Sequence, residues 1–199
     1  MAAQLLCVGF SARAAASSAR RAGFQPLAAD HFADRDLAAS QVRRIARYPA
    51  DLLQAVADLP AVPLVYGGAL ENYPEIVERL QKERIVWGND AATLRRVRDP
   101  FQLAAVLQAV GQPLPPLTTC PDQLPRDGSW LSKNGRGSGG GHVRGWYGQS
   151  GPGQPCGYFQ QRQEGIPCSA VFVGAAGQAQ LLGTTRQLIG LPGADTDSF

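Results

Sequence analysis

The sequence predicts an α+β protein in two parts: alternating strands and helices over residues 1–90, then a β-rich region over 118–199, with a helix and proline-rich connector at 91–117 between them. Two observations carry this. Short apolar runs alternate with helical stretches through the first part, as parallel βαβ units require. Twelve of the 23 glycines then fall between Gly128 and Gly165, where the helical pattern has ended and the backbone is left open. A length of 199 residues with 44% hydrophobic content suits one or two domains with a buried core.

The elements follow in order. Gln4–Gly9 is a short buried-strand pattern, Ser11 is placed to cap a helix running through Arg21, and Phe24–Asp30 forms a second strand ending in an acid. A helical stretch near Pro49–Leu59, a strand at Pro63–Tyr66, a helix from Pro74 to about Lys82 and a strand at Arg84–Trp87 complete the first part. A parallel sheet carries ligands on its carboxyl-edge loops, here Gly9–Arg13, Asp30–Asp36 and Gly67–Asn72. Those loops hold only generic polar residues, and Gly67 and Gly68 also suit a plain turn. Residues 91–110 read as helix interrupted at Asp99-Pro100 and stopped by Gly111, before a stiff run containing Pro113, Pro115 and Pro116. Strands then end at Lys133, return through Trp146, and continue at Gly157–Arg162, Cys168–Val173 and Gln178–Arg186.

Composition excludes several classes. A net charge of +3 is too small and too evenly spread for a nucleic-acid or acidic-membrane partner. No run approaches the ~20 apolar residues that span a bilayer. The amino terminus is rich in Ala, Ser and Arg like a transit peptide, but its strand and helix pattern reads as folded chain. Cys7, Cys120, Cys156 and Cys168 form neither a CxxC pair nor a metal-ligand spacing, which fits reduced thiols in a cytoplasmic protein. His31 and His142 are the only histidines, so triad and His-metal chemistry have little to work with.

The segment from Trp130 to Val143 is the most informative. It sets Lys133, one of two lysines in the chain beside Lys82, at the end of an apolar run and directly before Gly135, Gly137, Ser138, Gly139, Gly140 and Gly141. Glycines let successive N–H groups turn toward an anion, and a lysine adds a compact charge, so the pattern suits a polyphosphate. The spacing Gly135, Gly137, Gly140 matches a dinucleotide fingerprint, but a strand pattern follows where that motif needs a helix. A P-loop places its lysine after the last glycine, and a kinase loop also precedes its lysine. What stands is a strand, a lysine, a glycine hairpin and a second strand; an open surface hairpin would carry the same glycines.

The order of these parts, an Arg-Asp-Pro helix start, a Gly-x-Pro-x-Pro connector, the Lys133 hairpin and then Tyr158-Phe-Gln-Gln-Arg-Gln-Glu-Gly165-Ile-Pro-Cys-Ser169, resembles the ATP-grasp superfamily. Within it the likeness is to predicted ATP-dependent carboligases related to biotin carboxylase, over nearly the whole chain. The resemblance implies a Rossmann-like preATP-grasp domain followed by an incomplete ATP-grasp nucleotide-binding domain, with ATP and Mg2+ as cofactors. It implies that Lys133 reaches the α- and β-phosphates and that Gly135 to Gly141 close over the γ-phosphate. It places Gln160 near the adenine amino group, where the family has an acid, and the backbone of Arg162 and Gln163 on the base. Arg98 would stand in for a phosphate-binding lysine, because Asp99 is followed here by Pro100. Pro167 falls where many members have a ribose-binding acid and cannot take that role.

By the same resemblance, a carboxylate is phosphorylated to an acyl phosphate and attacked by an amine or similar nucleophile, so the partners are small-molecule carboxylate and amine substrates. The family's magnesium ligands, an acid pair and an asparagine, belong to a lobe after the equivalent of Gly183–Gln187, and no metal ligand is assigned here. The tail through Asp195 and Asp197 reads as a loop cut short. The expectation is that a further lobe, in a continuing reading frame or an adjacent one, or a second copy, completes the site. Two other readings stay open: an ATP-binding regulatory or scaffold protein without catalysis, and a nicotinamide-dependent oxidoreductase resting on Gly9 and Asp30.

Overall fold

A computed structural model describes residues 2–137, 140, 142–149, 157–175 and 177–188. It divides into two units, Met1–Leu103 and Ala104–Phe199.

The first unit is a four-stranded parallel sheet. Its strands are β1 (Gln4–Gly9), β2 (Gln25–Asp30), β3 (Gln41–Arg44) and β4 (Leu64–Tyr66), in the order β3-β2-β1-β4. The run Leu5-Leu6-Cys7-Val8 is continuously apolar because the sheet is covered on both faces. Alternation sends Leu6 and Val8 to one side with Leu27, Ile45, Leu52, Leu64 and Val77. Leu5 and Cys7 go to the other with Ala16, Ala19 and Ala28. Burial of Cys7 pushes its thiol up to about 11.

Helix α1 (Arg13–Arg21) supplies the small side of that core through Ala16 and Ala19. Ser11 does not cap it: the N-cap position is Ala12, without a side-chain cap, and the Ala12 N–H donates instead to the buried Asp30 carboxylate. The expected helix at Pro49–Leu59 is the five-residue α2 (Leu52–Val56). Helix α3 (Pro74–Glu83) starts on Pro74, as a first-turn proline allows. The expected strand at Arg84–Trp87 is a single parallel bridge, Val86 to Leu64, held by Leu64 N–H to Ile85 O and Trp87 N–H to Leu64 O. Strand β3 was not expected; Gln-Val-Arg-Arg is short and polar, as an edge strand can be. Helices α4 (Ala91–Val97) and α5 (Pro100–Ala109) break at Asp99, with Asp90 accepting from Thr93 N–H at 2.6 Å to cap α4. The unit border falls inside α5.

The second unit holds a four-stranded antiparallel sheet of β5 (Leu117–Thr118), β6 (Trp130–Lys133), β7 (Val143–Gly145) and β8 (Tyr158–Gln161), ordered β5-β8-β6-β7. Trp146 packs edge-on to Phe159 at 4.8 Å in its small core. Strands β9 (Cys168–Ala175) and β10 (Gln178–Arg186) form a separate antiparallel hairpin. Among the described residues, no helix is long and apolar enough to cross a membrane.

Candidate nucleotide site

Lys133 is the last residue of β6, paired with Tyr158 of β8 on one side and Val143 of β7 on the other. Leu131 lies opposite Gln160, so Lys133 and Gln160 are diagonal neighbours on one sheet face. The Lys133 ammonium donates to Gln160 Oε1. Burial holds the pKa of the lysine below its ordinary value.

Beyond Lys133 the chain turns tightly. Asn134 Oδ1 accepts from Arg136 N–H at 3.0 Å and the Asn134 carbonyl from Gly137 N–H at 3.2 Å. Gly135 and Gly137 lie on this turn, the His142 ring packs against Gly137, and Gly140 has φ +81°. Ser138, Gly139 and Gly141, expected in the same loop, lie outside the described residues. Gly157, which sequence reasoning gave no site role, donates to the Lys133 carbonyl at 2.9 Å. A Cβ there would sit 3.0 Å from Gly135 N, so any larger residue would push the lysine turn outward by a few tenths of an ångström.

At the other end of β8 lies a cavity of about 570 Å³, lined by residues 127–129 and 161–165. A second hollow of about 370 Å³ shares residues 162–165 and adds Leu131, Ile166 and Pro167. Both volumes fall in the ~300–1,000 Å³ range of small-molecule sites. Arg162 and Gln163 therefore line the cavity as one wall. The Arg162 N–H is already engaged, donating to Ser129 O at 2.8 Å, and Gln161 N–H donates to Pro116 O at 3.0 Å. Those two bonds fix the wall to Ser129, directly before β6, and to Pro116, directly before β5. Gly128 closes the opposite side at φ +83°, where a Cβ would meet the Tyr147 hydroxyl at 2.6 Å. Ser129 and Gly128 had no sequence signal, because their roles arise from contacts with distant parts of the chain.

Arg98, expected as a phosphate ligand, belongs to the first unit, where its guanidinium donates to the buried Asn72 Oδ1. Asp30 has both carboxylate oxygens on backbone amides, Ala12 N–H and Ala33 N–H, which is a structural role rather than that of a ribose acceptor. Among the described residues there is no group of three His, Cys, Asp or Glu side chains able to hold a metal ion.

No family model matches the sequence, and no curated protein matches it either. Solved structures do. The chain is similar to N5-carboxyaminoimidazole synthetase from Staphylococcus aureus, solved with ADP, at a TM-score of 0.64 and 13% identity, over 92% of this chain and 54% of that one. The Thermotoga maritima N5-carboxyaminoimidazole ribonucleotide synthetase gives 0.60 and 16%, over 93% and 54%. The biotin carboxylase domain of a single-chain bacterial carboxylase gives 0.62 and 17%, over 92% and 47%. The fold is thus shared with ATP-grasp carboxylases and ligases, and the chain spans about half the length of these three structures.

Proposed function

We propose that this chain binds ATP as part of an ATP-grasp ligase, which forms an acyl phosphate from a carboxylate and joins it to an amine or similar nucleophile. The observation that carries the reading is the placement of Lys133, partly buried at a strand end, beside a glycine turn and one diagonal step along β6 and β8 from Gln160. The fold shared with an enzyme solved with ADP supports it.

On this reading the Lys133 ammonium offsets charge on the α- and β-phosphates, and glycine-turn amides meet the γ-phosphate. The cavity walled by Arg162 and Gln163 takes the adenine, with the contact made past the engaged Arg162 N–H. A carboxylate oxygen attacks the γ-phosphorus and ADP departs; the amine then attacks the acyl carbon and inorganic phosphate leaves. Phosphoryl transfer relies on positioning and charge more than on a nucleophilic side chain, which the residues around Lys133 can supply. Among the described residues no three His, Cys, Asp or Glu side chains gather into a metal site, so no metal ligand is assigned and the part given to them here is holding the nucleotide.

A second reading is an ATP-binding regulatory or scaffold protein without turnover. Calorimetry with ATP separates the cases from a plain surface hairpin: Lys133→Ala should weaken binding at least about ten-fold, while Lys82→Ala, on an exposed helix, should not. Equal effects would end the nucleotide reading. ADP and phosphate release, measured with ATP bound, separates the ligase from the scaffold.

A further inference from the structure

The first unit carries an aromatic cluster that the nucleotide reading does not use. Its sheet order, β3-β2-β1-β4, reverses direction between β1 and β4, and open parallel sheets bind ligands outside the carboxyl ends of strands at such a reversal. The residues standing there are aromatic. Phe10 follows β1 and stacks on His31 at 4.8 Å, with their planes within 12°. Phe32 meets Phe10 edge-on at 4.9 Å and 78°, and Tyr48 does so at 5.5 Å and 71°. Phe10 is 42% exposed and Phe32 50%, an unusual condition for phenylalanines already gathered in a cluster.

The cluster is held in place. His31 Nδ1 donates to Ile45 O at 2.9 Å, joining the loop after β2 to the one after β3, and the Tyr48 hydroxyl donates to Gly68 O at 3.2 Å, joining the loop after β3 to the one after β4. Gly67 N–H donates to Val8 O at 2.8 Å, joining that loop to β1. The buried Asp30 carboxylate fixes the loops after β1 and β2 together. Among the described residues, the non-glycine positions with positive φ are Ala33 at 53° and Ala69 at 72°, one on each of two loops at this edge. Left-handed alanine costs energy, and such strain gathers at ligand sites. A parallel ring pair with rings set across it offers flat faces and fixed edges, the geometry that selects another flat ring.

We propose that the carboxyl edge of the first unit binds a small molecule bearing a flat aromatic or heteroaromatic ring against Phe10 and Phe32. On the ligase reading above, on which this further step rests, that molecule is one of the two compounds joined.

The test uses the full chain, with benzoate as the probe and cyclohexanecarboxylate as its saturated counterpart of equal charge, by saturation-transfer and titration NMR. Benzoate should bind at least about five-fold more tightly than cyclohexanecarboxylate, and Phe10→Leu or Phe32→Leu should lower its affinity by a similar factor. Phe32→Tyr, which keeps the ring, should stay within about two-fold of the parent. Equal binding of the two acids, or benzoate affinity unmoved by both leucine variants, overturns the proposal. Phe32 is exposed enough to be replaced without unfolding the unit, so it decides the matter if Phe10→Leu fails to fold. ATP affinity measured on the same samples reports separately on the nucleotide reading.

Discussion

The Lys133 ammonium donates to Gln160 Oε1, so a neutral amide, not a carboxylate, holds the cation. An amide orients the lysine without cancelling its charge. Replacing Gln160 with glutamate adds an opposing charge within hydrogen-bond reach, which favours the ammonium but also repels a polyphosphate. Gln160→Glu should weaken ATP binding by about 1 kcal/mol, roughly five-fold, in calorimetry. Unchanged or tighter binding would show that Gln160 does not face the phosphates' side of Lys133.

The pH dependence follows from the same lysine. Burial holds the Lys133 pKa below the ordinary 10.5, so its charge is lost at a lower pH than that of a solvent-exposed lysine. The shift favours the neutral amine in the folded state. Its stability cost therefore applies while both states are protonated and disappears as pH rises through the depressed value toward the unfolded one. ATP affinity should decline over that alkaline window in the parent, and Lys133→Arg should flatten the decline, since a guanidinium keeps its charge there. Parallel profiles for the two proteins would remove Lys133 from the phosphate contact.

Gly157 gives a packing test. A Cβ 3.0 Å from Gly135 N and 3.4 Å from Lys133 O must displace backbone, not a flexible side-chain tip. Gly157→Val should cost about 1–3 kcal/mol of stability in the second unit and lower ATP affinity through the shifted lysine turn. Denaturant unfolding and calorimetry together check it; Gly67→Val in the first unit, where a Cβ meets nothing within 4 Å, is the control for ATP binding.

The sequence made some of this readable and hid the rest for identifiable reasons. Asp99-Pro100 announces the break between α4 and α5, because Asp99 accepts from Phe101 and Gln102 N–H while proline can only begin a helix. Lys133 before its glycines is equally local, and so were β1, β2, β4 and α3. Ser11 looked like a helix cap by the same local logic, yet the helix start is tied by Asp30, eighteen residues away from Ala12. Among the described residues strand β3 pairs with β2 at the sheet edge, and it lacks an apolar run, so nothing in Gln41–Arg44 announces it. Ser129 and Gly157 touch the candidate site only through chain pairing that joins β6 to β8 across more than twenty residues. Local chemistry is legible in a sequence; a role created by a distant partner is not.

Asp30 offers a stability prediction for the first unit. Its carboxylate is 1% exposed and accepts from Ala12 N–H and from Ala33 N–H at 2.6 Å. An asparagine has one oxygen and an amide nitrogen that can only donate, so Asp30→Asn leaves one buried N–H facing a donor. About 2–3 kcal/mol should be lost, read as a lower denaturation midpoint with little change in slope. A loss of a few tenths would show that the two loops hold together without the carboxylate.

Arg84 closes the same unit by a different device. It is 7% exposed, and its guanidinium donates to Val56 O at 2.7 Å, to Leu59 O at 2.8 Å and to Pro60 O, carbonyls at and beyond the end of α2; Val56 O and Pro60 O also accept from Leu59 N–H and Val62 N–H. A buried cation is costly, and Arg84 Nε is buried without an acceptor among the described residues, so the site survives only because the other donors serve three carbonyls at a helix's negative end. Arg84→Met keeps the packing and removes the charge cost, but takes a charged donor from all three carbonyls and leaves Val56 O and Pro60 O only their backbone donors. The expected loss is about 3 kcal/mol. In a unit of about a hundred residues that is a drop of roughly 10–20 °C in the melting midpoint by calorimetry. Arg84→Lys should recover only part of it, since one ammonium cannot span three acceptors set for a planar fork. Arg79→Met, on the exposed side of α3, is the comparison, and a drop at Arg84 no larger than at Arg79 would show that α2 ends without help from this side chain.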